Sequence, residues 1–309
     1  MKRLPQIALL PDGKRLHLQD GPIDLVIGAS GGEGEVRVAY VAAARRFNGL
    51  LDELCEELAE LRTVADPAYS GLSGVVARRM YAAVAPFAAG QFITPMAAVA
   101  GSVAEEILRA MLAAARLDRA YVNNGGDIAL HLTGAEQFSV GLMDRPDHRG
   151  VMQTIRIDAG DAARGIATSG RHGRSFSLGI ADAVTALAKT ASQADAAATI
   201  IANAVDLPCH PAIVRLPANE LQPDSDLGAR LVTREVGRLG EGEIDDALGA
   251  GVDRARQLLA AGLIEGAALR LLGETALVGS TGIRASALPA SHEGAEAGTA
   301  SLIGSEADR

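Results

Sequence analysis

The stretch Ala120-Tyr121-Val122-Asn123-Asn124-Gly125-Gly126-Asp127-Ile128-Ala129-Leu130-His131-Leu132 decides the fold class. Two short apolar runs flank a turn signal, and the paired glycines let the backbone reverse with positive φ. Strands are therefore expected at 120–122 and 128–132. The same texture of short strands and glycines continues at 137–142, 153–157 and 183–187. This is an antiparallel-looking set, unlike the strand-helix alternation of a doubly wound parallel sheet. The Asn-Asn-Gly-Gly-Asp loop carries two readings of its own. Its bare N–H groups could form a nest for phosphate or carbonyl oxygens, or it could be a plain hairpin turn, which the residues taken alone favour.

Outward from this centre, Arg15 to Leu18 and Ile23 to Ile27 alternate or run apolar around Asp20-Gly21, which predicts an opening hairpin. Between Glu35 and Leu61, Val38, Val41, Ala42, Leu50, Leu51, Leu54 and Leu58 recur at helical spacing, with a break point at Asn48-Gly49. Cys55 within this helix reads as a small buried apolar side chain. Further helices are expected at 70–87, 97–115, 192–204 and 243–263, and closing strands at 267–272 and 275–278. Helices gathered before an antiparallel set, with more helices after it, make the chain α+β. Beyond about Ser280 the sequence turns into Ala, Gly, Ser and Glu without periodicity, the pattern of a disordered tail over 281–309.

The composition bounds the function. The 309 residues are 48% apolar, enough for a substantial core, and 22% charged with a net charge of −9. No basic field exists to hold a nucleic-acid backbone. Aromatic residues make up 3%, so stacking platforms for bases are scarce. Cys55 and Cys209 are the only cysteines, with no zinc-ligand spacing and no implied disulfide framework. Pro5 and Pro11 interrupt the apolar N-terminus, which argues against a signal peptide, and no apolar run is long enough for a membrane span. These features lead to the expectation of a soluble cytoplasmic protein.

Two further clusters could carry chemistry. Gly165-Ile166-Ala167-Thr168-Ser169-Gly170-Arg171-His172-Gly173-Arg174-Ser175 reads as a single loop combining hydroxyls, glycines and three basic side chains, suited to an anionic, phosphate-bearing ligand. It lacks P-loop order, and a merely solvated loop is the competing reading. In Ser192-Gln193-Ala194-Asp195-Ala196-Ala197-Ala198-Thr199, Asp195 and Thr199 share one helix face and offer two oxygens to a hard cation. Against this, Asp is ordinary in a helix's first turn and Thr commonly bonds back to a carbonyl. Sequence order alone assembles no Ser/His/Asp triad.

Taken in order, the clusters resemble the ApbE-like superfamily, whose characterised members are Mg²⁺-dependent FAD:protein FMN transferases, some of which instead hydrolyse FAD. Asn123 to Ile128 is similar to that family's Asn-Leu-Gly-Gly-Asp/Asn-Ile loop, with Asn124 in place of the usual leucine. Ala167-Thr168-Ser169-Gly170 matches its Ala-Thr-Ser-Gly segment, and Ala194-Asp195 to Thr199 its Ala-Asp-Ala-x-x-Thr metal helix. The resemblance implies an ApbE-like, T-fold-related α+β fold, with antiparallel sheets packed with helices, as a single compact unit over residues 1–280. It also implies Mg²⁺ held by Asp195, Thr199 and the Ala98 carbonyl. FAD would be lined by Met96, Asn124, Gly125, Gly126, Asp127, Thr168, Ser169, Gly170 and Arg171.

The departures are specific. Ala100 stands where the family has a lysine, and Ser175 to Asp182 replaces its His-Ile-x-Asp-Pro-x-Thr-Gly segment. The sequence thus looks like a shortened branch of the superfamily. Three functions stay open: FMN transfer to a protein threonine or FAD pyrophosphate hydrolysis; flavin or nucleotide binding without chemistry; and action on another phosphorylated small molecule. The implied partners are a dinucleotide and, for transfer, a flavin-accepting protein, with neither nucleic acid nor membrane. A homo-oligomer stays open.

Overall fold

Strands β1 (Gln6–Leu9), β2 (Leu16–Asp20) and β3 (Ile23–Ser30) open the chain as an antiparallel meander. In β2 the period-two alternation is direct: Leu16, Leu18 and Asp20 are buried while His17 and Gln19 are half-buried, as in a sheet with one face on a core. The computed structural model describes residues 4–68, 71–143, 151–279, 283–284 and 300–303.

The first helices are α1 (Glu33–Phe47), α2 (Leu50–Glu56), α3 (Leu58–Leu61) and α4 (Val75–Ala88). The break expected at Asn48-Gly49 is present, with Gly49 in the left-handed region at φ 83°. A 3-10 turn, Pro95–Ala98, leads into α5 (Val99–Ala114). Then come β4 (Arg119–Asn124), β5 (Asp127–Leu132), β6 (Gln137–Met143), β7 (Val151–Asp158), β8 (Gly165–Ser169) and β9 (Ala183–Ala188). Helix α6 (Ala191–Ala204) precedes β10 (Ile213–Pro217), α7 (Ala218–Leu221) and β11 (Leu231–Val236). Last are α8 (Glu241–Ala260), β12 (Gly266–Leu271) and β13 (Glu274–Val278), followed by β14 (Ile283–Arg284) and β15 (Ala300–Ile303). The rest of 281–309, which the sequence reads as a tail, lies outside the described residues.

Two compact units result. The first is Met1–Gln137, Asp158–Ile166 and Thr190–Asp195. Its sheet runs β1-β2-β3-β4-β5 and ends on the start of β8, with every registered pair antiparallel. Helix α5 lies on β4 and β5, and α1 packs on α5. The second unit is Phe138–Ile157, Ala167–Lys189 and Ala196–Arg309. There β9, β12 and β13 pair antiparallel in sequence, with α8 on β12 and β13. It also holds the β10-β11 pair and the order β14-β7-β6-β15. The architecture is α+β, antiparallel sheets packed with helices, as the order of elements implied.

Three expectations are corrected. Residues 165–169 are a strand rather than part of a loop. Gly165 makes this packing achievable, because a Cβ there would lie 2.1 Å from the Thr190 carbonyl oxygen. Cys55 is exposed, because α2 turns Leu50 and Leu54 inward at four-residue spacing and the next residue rotates away. In α1 the buried stripe is Ala39, Ala43 and Phe47, and Val38 and Val41 face outward, each 46% exposed.

Candidate functional site

Strands β4 and β5 form a two-residue hairpin with Asn124 opposite Asp127. Both turn residues have positive φ, 65° at Gly125 and 114° at Gly126, which is why glycine occupies both positions. The Asn123 Oδ1 accepts the Gly126 N–H at 2.8 Å and locks the turn. Asn124 is 4% exposed, and its Nδ2 donates to the Ala100 carbonyl at 3.1 Å. Its Oδ1 is buried with no hydrogen-bond partner among the described residues. An orphaned buried acceptor costs about 1–3 kcal/mol, so its retention calls for an explanation.

The neighbouring carboxylate comes from far along the chain. The Gly101 N–H in α5 donates to Asp195 Oδ2 in α6 at 2.9 Å. This approach depends on glycine, since a Cβ at position 101 would sit 2.3 Å from the Ala191 carbonyl oxygen. The start of α6 is further tied to α5 by Ser192 Oγ donating to Glu105 Oε2 at 2.9 Å. Glu105 in turn pairs with Arg79 at 3.1 Å, and Arg79 and Arg46 both meet Glu106, at 2.8 and 2.7 Å.

Although part of Asp195 remains accessible, its carboxyl is pushed well above the ordinary carboxylate range. Loss of solvation is the main cause and the charge of Asp127 the second, while the N–H groups of Gly101 and Ala100 oppose both. Asp195 near the charge of Asp127, with a buried amide oxygen on the same turn as Asp127, is an arrangement whose chemistry suits a proton or a hard cation. Among the described residues no group of three or more His, Cys, Asp or Glu is gathered as for a metal ion. A cation here would therefore rely on a mixed oxygen set.

Of the residues singled out from sequence, the first unit brings Asn124, Gly125, Gly126, Asp127 and Asp195 together. Ala98 is fully buried at the start of α5, and Met96 is half-buried in the preceding 3-10 turn. Thr199 lies one turn beyond Asp195 along α6 and is half-buried. Gly101 and Ala100 were absent from the sequence-derived site; the available signal was a glycine inside an apolar helical run.

In the second unit, Thr168 Oγ1 and Thr185 Oγ1 are 2.8 Å apart. Gly170, at φ 152°, lets its chain pass the Asp182 carbonyl, where a Cβ would come within 2.5 Å. Asp182, 6% exposed, accepts from Arg171 Nε at 2.8 Å and from the Leu272 N–H at 2.5 Å, with His172 Nε2 3.3 Å away. Within this cluster the Arg171 charge is met by Asp182, the last residue of the segment that replaces the family's His-Ile-x-Asp-Pro-x-Thr-Gly.

A family model described as AbpE bacteria matches residues 7–277. The UPF0280 protein of Methanopyrus kandleri is 41% identical over 129 residues, covering 41% of this chain and 48% of that protein. That of Archaeoglobus fulgidus is 37% identical over 114 residues, 37% of this chain and 45% of the relative. That of Methanobrevibacter smithii is 36% identical over 129 residues, 41% and 51% respectively. The chain spans about half the length of the curated relatives it matches. Among the described residues no helix is long and apolar enough to cross a membrane.

Proposed function

We propose, since the chain belongs to this ApbE-like family, that its flavin-related function is the binding of FAD together with Mg²⁺. The chemistry would be either FMN transfer to a protein threonine or hydrolysis of the FAD pyrophosphate. The observation that carries this reading is the Asp127–Asp195 pair, in which loss of solvation first and the charge of Asp127 second raise Asp195. With the buried, unpaired Asn124 Oδ1 they form a hard-oxygen donor set of the kind Mg²⁺ takes. The donors present therefore fit the cation, and Asp195, Asp127 and Asn124 would hold it. When bound, such a cation supplies charge withdrawal from the pyrophosphate, favouring departure of AMP.

The chain's own groups have separate tasks. The Gly101 N–H holds Asp195 Oδ2, and with the Ala100 N–H it fixes the orientation of the carboxylate. The Gly125-Gly126 turn keeps side chains out of the way of an approaching phosphate. The test is to incubate the purified protein with FAD, with and without Mg²⁺, and to measure released AMP and retained yellow flavin. Metal-dependent AMP release that Asp195→Ala abolishes supports the reading; unchanged release in that variant overturns the metal role. A second reading, flavin binding without turnover, draws on Ala100, whose methyl group stands where the resembling transferases carry a lysine. Retained flavin without AMP would support it.

A further inference from the structure

We infer that Glu105, acting through Ser192, is a positioning residue for Asp195. The inference rests on the proposed role of Asp195 toward a cation and adds the second contact that fixes it. Gly101 and Glu105 are four residues apart and share one side of α5, and Ser192 and Asp195, three apart, share one side of α6. Two rungs join these sides. The Gly101 N–H donates to Asp195 Oδ2 at 2.9 Å, and Ser192 Oγ donates to Glu105 Oε2 at 2.9 Å. The first rung alone would let the opening turn of α6 swing about a single hydrogen bond. A second rung, about 6 Å further along α5, removes that freedom.

Glu105 is itself held on both oxygens. Its Oε1 lies 3.1 Å from Arg79 Nε, and Arg79, whose side chain is 10% exposed, is anchored in turn by Glu106 Oε2 at 2.8 Å and by the Ser102 carbonyl at 3.2 Å. Because Ser192 Oγ gives its proton to Glu105, Thr190 Oγ1, 3.0 Å away, donates to Ser192. Thr190 Oγ1 also accepts the Gln193 N–H at 3.3 Å, and the Thr190 carbonyl accepts the Ala194 N–H at 3.1 Å. Thr190 thus caps α6, and the bond from Ser192 to Glu105 is not needed to start the helix. Apolar contacts would hold two helices together as firmly as buried charge does. A hydrogen bond to a carboxylate adds direction, and the residue one turn beyond Ser192 is Asp195. Partners standing behind a metal ligand in this way set its affinity by orienting it.

Mn²⁺ binding to the full chain, read from the electron paramagnetic resonance of the free ion, tests this apart from turnover. Asp195→Ala should abolish binding. Ser192→Ala and Glu105→Ala should each weaken it about 10- to 100-fold. Glu105→Gln should keep most of the affinity, because the amide oxygen can accept from Arg79 while the amide NH₂ donates to Ser192 Oγ. Ile107→Val, a fully buried change on α5 outside both rungs, should lower the melting temperature and leave the affinity unchanged. Affinity that follows melting temperature across these variants, Ile107→Val included, would make Glu105 merely structural and overturn the inference. Unchanged affinity in Ser192→Ala, with binding still absent in Asp195→Ala, overturns it too and leaves the cation reading standing. No Mn²⁺ binding by the unaltered protein, or binding that survives Asp195→Ala, overturns both.

Discussion

Replacing Gly101 by alanine probes the closest approach in the candidate site. The new Cβ would lie 2.3 Å from the Ala191 carbonyl oxygen, 2.6 Å from its carbon and 2.9 Å from the Ser192 nitrogen. All three are backbone atoms, so no rotamer change relieves the contact. Bringing the shortest contact out to 3.0 Å requires α5 and the start of α6 to separate by about 0.7 Å. A shift of that size along the Gly101 N–H to Asp195 bond stretches it from 2.9 Å to about 3.6 Å, past useful hydrogen-bonding distance. Overpacking costs about 1–3 kcal/mol, and a hydrogen bond to a charged group adds about 1.5–3 kcal/mol. Alanine's better helix propensity returns about 1 kcal/mol. The net loss should be roughly 1.5–5 kcal/mol, or a fall of roughly 3–20 °C in melting temperature. Gly249→Ala in α8 is the control, because nothing lies within 4 Å of its Cβ; it should gain roughly 0.5–1 kcal/mol. Urea and thermal unfolding monitored by circular dichroism measure both. If Gly101→Ala unfolds with the same midpoint as the unaltered protein, the close α5–α6 approach, and with it the positioning of Asp195, is refuted.

Asp195 carries a raised pKa, so the folded state keeps its proton at pH values where the unfolded chain has released it. Stability is therefore lost as pH rises from about 3.8 through the raised value. Asp195→Asn, measured without added metal, should melt higher than the unaltered protein at pH 7 and converge with it below about pH 3.8; a lower melting point at pH 7 would contradict the repulsion from Asp127. Glu57 behaves in the opposite sense. Burial acts to raise it, but N–H groups of Ser73 and Gly74, at 2.6 and 2.8 Å, hold it below 4.5. As a remote cap of α4 it should contribute about 1 kcal/mol. That contribution is present above pH 4.5 and disappears as pH falls through the lowered value, so Glu57→Gln should differ from the unaltered protein at pH 7 and match it in strong acid. Asp182→Ala leaves Arg171, 11% exposed, as an uncompensated buried cation, and should cost about 3–5 kcal/mol in urea unfolding; a cost below about 1 kcal/mol would place that pair in solvent.

Local signals carried the local structure. Asn124-Gly125-Gly126-Asp127 reads as a hairpin because two positive-φ residues in succession leave few alternatives, and Asn48-Gly49 reads as a helix break for a related reason. Strand β8 was not legible. Gly165-Ile166-Ala167-Thr168-Ser169 is short and made of small residues, and its status as a strand depends on β5 pairing from a distant part of the chain. The β10-β11 pair was missed because a connection containing α7 separates its strands. In α1 the helical periodicity of the valines is real but marks the outward face. Val38 and Val41 have helical spacing, yet the core took the alanines, which let α1 lie close to α5.

The candidate site divides in the same way. The turn glycines were visible because their requirement is local. The hydrogen bond between Gly101 and Asp195 joins residues 94 positions apart, and nothing near either residue announces the other. What distinguishes this cluster physically is its cost. An unpaired Asn124 oxygen, a carboxylate raised by loss of solvation and then by Asp127, and a glycine where alanine would suit the helix better each subtract from stability. Elsewhere in the first unit charge is handled conventionally, as in the Arg46 and Arg79 pairs with Glu105 and Glu106. In the reading proposed above, a fold that neutralises one group of half-buried carboxylates with arginines, and sets Asp195 near Asp127, would hold the second pair for a positive partner from outside the chain. A hard cation bound with a phosphate-bearing ligand meets that requirement, and the chain supplies no side chain at Ala100 that could do so in its place.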